Sequence, residues 1–224
     1  MIEMLAREVM MRFWTQISKF MMMALVALGL GTGTALADNG YEGWDFAKEK
    51  NGVKVFMKQE DGKRFKSYLV EAVVPGSPAI VDKVVRNVEG MPDWWGKIKT
   101  ARQLKQMGDN EYLVYMVYNM PFIYSDRDFV QHATAEFNDE TGDVVVRIEN
   151  AADQYPEQRR LKRVQESYQI WRMTAVDAEN VKIVLQGNTN IGDDVPVGMA
   201  NSMMPDEQIA MVSGLIDAVK KAQK

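Results

Sequence analysis

The central part of this chain is predicted to form consecutive β-strands. This series of strands restricts the possible folds more than any other feature of the sequence. Six strand-like segments follow one another there: residues 99–106, 111–120, 127–137, 144–149, 164–176 and 181–191. Residues 108–110, 138–142 and 177–180 lie between them and are rich in Gly, Asp and Asn, which are typical of hairpin turns. Consecutive hairpins predict an antiparallel meander.

Two further strands and two helical regions flank this meander. Residues 52–58 and 64–74 have strand-like sequences, and Ser77 is placed to cap a helix whose first residue is Pro78. Residues 199–221 have a helical apolar period that we expect Pro205 to divide. This order predicts an α+β fold in which a curved antiparallel sheet wraps around a long C-terminal helix. The alternative is a closed barrel of the lipocalin type, which has no natural place for the two helical regions.

The N-terminal residues 1–37 have the features of a secretory signal peptide. Basic residues precede an uncharged apolar run at residues 21–30, and Ala35-Leu36-Ala37 forms a small-residue cleavage site. The apolar run is too short for a membrane-spanning helix, which needs about 20 residues. We therefore expect cleavage after Ala37, a periplasmic or secreted location, and one domain over residues 38–224. Either Met1 or Met11 is a possible start of translation.

Composition excludes several classes of function. The chain has a net charge of −4, and an acidic surface does not attract nucleic-acid phosphates over long range. It contains no Cys, which excludes disulfides, thiol nucleophiles and thiolate metal sites. We expect a monomer without nucleic-acid partners.

The alternation of side chains along two strands favours an internal cavity over a filled core. In residues 181–191 the more apolar face contains Ile183, Leu185 and the small Gly187. In residues 127–137 Phe129, Gln131 and Ala133 share a face, whereas Asp128 and His132 on the other face belong in water. Small residues in the middle of an inward face are consistent with space for a ligand, and also with close approach of a helix.

Methionines and one tyrosine complete the candidate ligand-binding residues. Thioether side chains adapt to irregular apolar shapes. Met199, Met203 and Met204 cluster in the terminal helix, and Met116 lies in the meander. Tyr118 faces inward in one of the two possible orientations of its strand, and its hydroxyl could then donate a hydrogen bond to a ligand. Filling of core gaps is the alternative role for each of these methionines.

Residues that could carry out catalysis are scarce. His132 is the only histidine and lies on the face expected to meet water, so no histidine pair or metal site is predicted. Asp126, Arg127 and Asp128 are expected to form a local ion pair within a turn. We therefore predict no catalytic residues, no metal, no cofactor and no enzymatic activity.

Residues 125–130, SDRDFV, carry a resemblance to a known family. This run resembles the turn and strand of the StAR-related lipid-transfer (START) domains, and the weaker similarity extends over residues 44–221. The resemblance implies a helix-grip fold that binds one lipid under a terminal helix acting as a lid. In sterol-binding members a buried Arg pairs with an acid on the neighbouring strand. The position matching that Arg is Ala133, and the facing strand offers Val114 or Met116 instead of an acid, which argues against that mode of sterol recognition.

From these observations we expect a periplasmic protein that carries a lipid or another apolar small molecule, with transient contact to a membrane. An aromatase/cyclase-like enzyme of the same superfamily and an interaction module without ligand remain as alternatives. An inward acid or base would favour the enzyme, and a fully packed interior would favour the module.

Overall fold

The computed structural model describes residues 41–224, so the predicted signal peptide at residues 1–37 lies outside the described part. Residues 41–224 form one compact unit. The strands of this part are β1 (Asp45–Lys50), β2 (Val53–Lys58), β3 (Ser67–Pro75), β4 (Ile98–Gly108), β5 (Glu111–Tyr118), β6 (Arg127–Phe137), β7 (Val144–Asn150), β8 (Lys162–Arg163), β9 (Glu166–Ala175) and β10 (Asn180–Asn190). The helices are α1 (Pro78–Arg86), α2 (Met91–Trp94) and α3 (Val197–Ala222), with 3-10 turns at Val88–Gly90 and Ala152–Gln154.

Within residues 41–224 the strands form one curved sheet in the order β1-β2-β3-β10-β9-β7-β6-β5-β4. Neighbours along this order are antiparallel, and the short β8 pairs in parallel with β6. Helix α3 packs against β1, β2 and β3 and against α1 and α2. The α+β prediction of a curved sheet around the C-terminal helix is confirmed. A closed barrel is wrong, because β1 and β4 form two separate ends of the described sheet.

The main hydrophobic core lies between the centre of the sheet and the second half of α3. Trp171 and Leu185 from the sheet pack there against Val212 and Leu215 from the helix. Helix α1 closes one side of this core, and its start agrees with the sequence: the Ser77 side chain accepts a hydrogen bond from the backbone N–H of Ile80.

Two expectations about the elements are wrong. Three strands precede α1 rather than two. The additional strand is β1, whose mostly exposed and charged sequence does not indicate a strand. Pro205 does not divide the terminal helix, since α3 runs without a break from Val197 to Ala222. A proline removes one backbone donor from a helix. Pro205 is itself buried, and helices in proteins owe most of their stability to packing of the apolar face.

The expectation that Asp128 lies in water is also wrong. Asp128 is buried and pairs with the equally buried Arg163 at 2.8 Å between carboxylate and guanidinium. The Arg163 guanidinium also donates to the backbone carbonyls of Ala152 and Tyr155. Residues from the loop before β8 therefore cover this face of β6 and replace the water that strand alternation predicts.

The local ion pair expected within residues 126–128 is not formed either. Arg127 pairs with Asp194 at 2.8 Å and donates to the carbonyl of Ile191. Asp126 pairs with Lys99 on β4 and accepts a hydrogen bond from the backbone N–H of Met120. The Arg127 contacts fix the end of the β5–β6 turn to the loop that leads into α3, and the Asp126 pair fixes it to β4.

Candidate functional site: two adjoining cavities under the terminal helix

An apolar cavity lies between the first half of α3 and the sheet, and strands β3, β4, β5, β6, β9 and β10 all contribute to its wall. Its volume is about 100 Å³. This is room for roughly seven to ten water molecules, because each needs about 10–15 Å³ of such space. Residues from the sheet, from the loops beside it and from α3 line this first cavity: Tyr68, Trp95, Ile98, Met116, Tyr118, Met120, Pro121, Phe129, Gln131, Gln169, Thr189, Ile191, Val195, Met199, Ala200, Met203, Met204, Glu207 and Gln208.

A second cavity of about 50 Å³ adjoins the first and extends toward α1. Trp95, Met116, Gln131 and Gln169 line both cavities. The rest of the second wall is mainly aliphatic and aromatic, and it includes Ala133. The two cavities are therefore neighbouring chambers, separated only by side chains that belong to both.

Most of the site residues predicted from the sequence come together at these cavities. Seven of them line the first cavity: Met116, Tyr118, Phe129, Gln131, Met199, Met203 and Met204. Ala133 lines the second. The contact of each with a ligand stays a prediction.

Ile183, Leu185 and Gly187 lie elsewhere. Ile183 and Leu185 are fully buried in the core between the sheet and the second half of α3. Gly187 pairs across the sheet with Tyr68, and a Cβ added to Gly187 would lie 2.5 Å from the Tyr68 hydroxyl oxygen. The ring of Tyr68 thus occupies the space that the glycine leaves open, and Tyr68 itself lines the first cavity. The alternation of side chains along the strand identifies Gly187 as a small inward residue. It does not identify Tyr68 as the neighbour that fills the space.

An acidic side chain, Glu207, reaches the first cavity from α3. The Tyr118 hydroxyl donates a hydrogen bond to the Glu207 carboxylate. The other carboxylate oxygen lies 3.2 Å from the Lys97 ammonium nitrogen. Burial and the adjacent carboxylate raise the pKa of Tyr118 above its ordinary value, so the phenol keeps its proton. Glu207 follows Met203 by one helical turn and therefore shares its face, but the sequence alone does not show that this face meets the cavity.

Three glutamine side chains provide further polar groups. Gln208 donates from Nε2 to the Met204 sulfur at 3.4 Å, whereas its Oε1 is buried without a hydrogen-bond partner among residues 41–224. Gln131 Nε2 donates to the Ser167 hydroxyl at 3.3 Å. Gln169 Oε1 accepts from the Trp171 indole N–H at 3.1 Å. Gln131 and Gln169 are therefore held by other side chains, while the carbonyl oxygen of Gln208 is not.

The register in which β5 pairs with Ala133 on β6 differs from the expectation. Ala133 pairs with Tyr112 on β5, while Val114 faces Gln131 and Met116 faces Phe129. The partner is therefore neither Val114 nor Met116. The three facing residues are uncharged, so the second cavity receives no acid from β5 at these positions.

A surface cleft of about 480 Å³ lies outside the first cavity, between α3 and the residues that follow α2. Trp95, Met203 and Glu207 line both the cleft and the first cavity. These side chains form a thin part of the cavity wall, and the pair of Lys97 and Glu207 lies across it.

Close contact between α3 and α2 fixes the helix over the cavities. Gly214 lies against the backbone of Trp94, and a Cβ added to Gly214 would lie 2.0 Å from the Trp94 carbonyl oxygen. Only glycine permits this approach without displacement of the helix.

Two further searches concern residues 41–224 alone. No helix in this part is long and apolar enough to cross a membrane. No group of three or more His, Asp or Glu side chains in it is placed to hold a metal ion.

The chain has a helix-grip fold of the START type, as solved structures with similar architecture show. A STAR-related lipid transfer protein from Xanthomonas axonopodis superimposes with a TM-score of 0.74 at 24% identity, over 80% of this chain and 99% of that one. Human StAR-related lipid transfer protein 5 gives a TM-score of 0.73 at 17% identity, over 82% and 89% of the two chains.

Other comparisons leave the chemistry open. The aromatase/cyclase Zhui from Streptomyces sp. R1128 has a TM-score of 0.50 at 14% identity, over 70% of this chain and 95% of that one. In sequence, the chain is 26% identical to the uncharacterized protein PA1579 of Pseudomonas aeruginosa, over 84% of this chain and 91% of that protein. No family model matches the sequence. The resemblance seen in the sequence is confirmed for the fold, and a fold alone does not define a function.

Proposed function

We propose that the protein binds a hydrophobic, lipid-like molecule in the two adjoining cavities and carries it without chemical change. The observation that carries this proposal is a largely apolar space between the sheet and α3. Ligand sites are commonly lined by apolar and aromatic side chains with a small number of polar groups, as these cavities are. The names of the similar Xanthomonas and human proteins, which refer to lipid transfer, also support it.

Helix α3 closes the cavities in this proposal. Its residues Met199, Met203 and Met204 form one wall of the first cavity. A lipid larger than the present space requires these side chains and the first half of α3 to move outward. Methionine side chains repack easily because they are unbranched and flexible. The ion pair between Glu207 and Lys97 is broken as the helix moves, so it favours the closed state.

We propose that this carriage takes place in the periplasm. The support is the signal-like sequence of residues 1–37, which lie outside the described part, together with the absence of Cys from the whole chain. A domain without Cys keeps the same covalent structure in an oxidising compartment.

Contact with a membrane is proposed at the β5–β6 turn. Phe122 and Ile123 are 98% and 65% exposed, and the preceding Pro121 lines the first cavity. Large apolar side chains exposed beside a ligand cavity are suited to shallow insertion between lipid headgroups. Replacing Phe122 and Ile123 by Ser should weaken sedimentation with phosphatidylcholine vesicles, whereas Val176→Ser, at a similarly exposed residue in the β9–β10 turn, should not. Equal sedimentation of all variants would contradict contact at this turn.

Analysis of bound lipid tests the proposal itself. The protein is purified from the periplasm, extracted with organic solvent and its extract analysed by mass spectrometry. Ala133→Trp, which fills the second cavity, should reduce the extracted lipid severalfold. Thr134→Trp, on the opposite face of β6, is the matched control and should retain it. Lipid retained in Ala133→Trp, or absent from the native protein after incubation with vesicles, would contradict the proposal.

A second candidate function rests on the pair of Tyr118 and Glu207. A phenol that is hydrogen-bonded to a carboxylate at a cavity wall can serve as an acid–base pair. The similar Zhui structure is that of an aromatase/cyclase. Conversion of a polyketide-like substrate that is lost in Tyr118→Phe would support this candidate. Binding without conversion, unchanged in Tyr118→Phe, would favour carriage.

A further inference from the structure

The polar groups of the first cavity define which end group a ligand can carry, if the proposed lipid binding is correct. Among the described residues, Glu207 is the only charged side chain that lines this cavity, and the lining contains no Lys, Arg or His. A carboxylate or phosphate of a ligand would meet this like charge, and the Lys97 ammonium that pairs with Glu207 lines the outer cleft rather than this cavity. Burial of an unpaired charge is strongly unfavourable.

The second cavity does not supply a free cation either. Arg86 lines it, and although its Nε–H has no hydrogen-bond partner among residues 41–224, its guanidinium lies 2.7 Å from the carboxylate of the buried Asp82. An anionic end group would have to compete with this carboxylate, one turn away on the same helix. The rest of the wall, which includes Val114, Val146 and Trp171, suits a hydrocarbon tail.

Gln208 offers the complementary feature, an acceptor that lacks a donor. The residue is 8% exposed and lines the first cavity, and its Oε1 has no hydrogen-bond partner among residues 41–224. A buried acceptor without a partner is unfavourable, so a ligand that supplies a donor gains free energy there. The Nε2 group of Gln208 is occupied only by the weak acceptor sulfur of Met204.

Glu207 adds a second acceptor beside Gln208. Its carboxylate receives one hydrogen bond from Tyr118 and lies near Lys97, and a carboxylate has about four lone-pair directions. It can therefore accept a further hydrogen bond from a neutral ligand. The adjoining residues Glu207 and Gln208 thus form an acceptor pair on the helix that covers the cavity.

We propose that the cavity selects uncharged lipids that carry a hydroxyl end group, with the hydroxyl donating to Gln208 or Glu207 and the hydrocarbon part extending toward the second cavity. A hydroxyl suits this position because it donates to an oxygen and can also accept from the amide nitrogen of Gln208. The Glu207 carboxylate and the Gln208 carbonyl oxygen, which are both acceptors, exclude fatty acids and other anionic lipids.

Three small compounds test this selectivity: 1-undecanol, its isomer decyl methyl ether, and undecanoate at pH 7.5. Their affinities are measured by displacement of Nile red from the full mature protein. The alcohol should bind about fivefold to tenfold more tightly than the ether, which is the factor that one net hydrogen bond gives. Undecanoate should bind at least about tenfold more weakly than the alcohol.

Variants assign the selectivity to the two residues. Gln208→Met should reduce the preference for alcohol over ether to less than about twofold. Gln165→Met, at an exposed residue before β9, is the control and should keep the preference. Glu207→Gln should strengthen undecanoate binding at least about fivefold, because it removes the like charge.

Each outcome separates the two proposals. Equal affinity of the native protein for the alcohol and the ether, or tightest binding of undecanoate, overturns the selectivity while leaving lipid binding intact. Because this comparison uses the native protein, it holds even where a variant fails to fold. If none of the three compounds displaces Nile red, or Nile red itself does not bind, the proposed lipid binding is wrong and the selectivity with it.

Discussion

Ala133 and Ala135 offer a direct comparison of empty and filled space. They lie two residues apart on β6 and face the same side of the sheet. Ala133 lines the second cavity, whereas Ala135 is part of the packed core. We expect the substitution of each by Leu to change stability in opposite directions.

The magnitude follows from the cavity. An unfilled cavity costs about 24 cal/mol per Å³, so the second cavity of about 50 Å³ costs about 1.2 kcal/mol. Leu at position 133 fills part of it, and we expect the free energy of unfolding to rise by about 0.5–1 kcal/mol. Leu at position 135 has no space to enter and should lower the free energy of unfolding by about 1–3 kcal/mol.

Unfolding in urea, followed by circular dichroism, measures both variants. The slope of free energy against urea concentration should stay unchanged, so that a shift in midpoint reports stability directly. Ala133→Leu should also lower the affinity for 1-undecanol, because the added side chain takes space that the hydrocarbon needs. A residue whose enlargement stabilises the fold and weakens binding is expected only at a ligand cavity.

Equal destabilisation by Ala133→Leu and Ala135→Leu would refute this reasoning, because it would mean that the space beside Ala133 is closed in solution. Stabilisation without loss of binding would place the ligand elsewhere.

Two further substitutions test the contacts that hold the cavity in place. Gly214→Ala should lower the free energy of unfolding by about 1–3 kcal/mol because its Cβ meets the Trp94 carbonyl, although alanine normally favours a helix. Gly198→Ala, in the same helix with no described atom within 4 Å of the added Cβ, should be neutral or stabilising, and similar losses in both would argue against the close contact. Arg163→Met should cost about 3–5 kcal/mol in the same urea experiment because it leaves the buried Asp128 carboxylate unpaired. Adding Asp128→Leu should restore much of that loss, and no recovery would contradict the buried pair.

The sequence predicts those elements whose signals are local. Strand β6 was predicted with the bounds Arg127–Phe137 that the structure has, because alternation and the turns at both ends all agree. The start of α1 follows from Ser77 and Pro78. Strand β1 has no such signal, since it is mostly exposed and rich in charge, and its pairing with β2 alone defines it.

The site was less predictable because it depends on contacts distant in the chain. The alternation of side chains along β6 correctly predicts that Phe129 and Gln131 face inward, since successive residues of a strand point to opposite faces. Parity failed for Asp128, because Arg163 reaches it from another segment. Glu207 shares a face with Met203, but the rotation of α3 about its axis decides whether that face meets the cavity, and this rotation depends on packing against the sheet.

Methyl NMR of the methionines tests the central claim most directly. The protein of residues 38–224 is labelled with ¹³C at its methionine methyl groups and saturated with 1-undecanol. Nuclear Overhauser effects between ligand and protein then show where the ligand lies. The account predicts contacts to Met116 and Met204, which line the first cavity, and none to Met107, which is exposed on β4. Contacts to Met107 alone, or none to Met116 and Met204 at saturation, would contradict a ligand held between the sheet and the terminal helix.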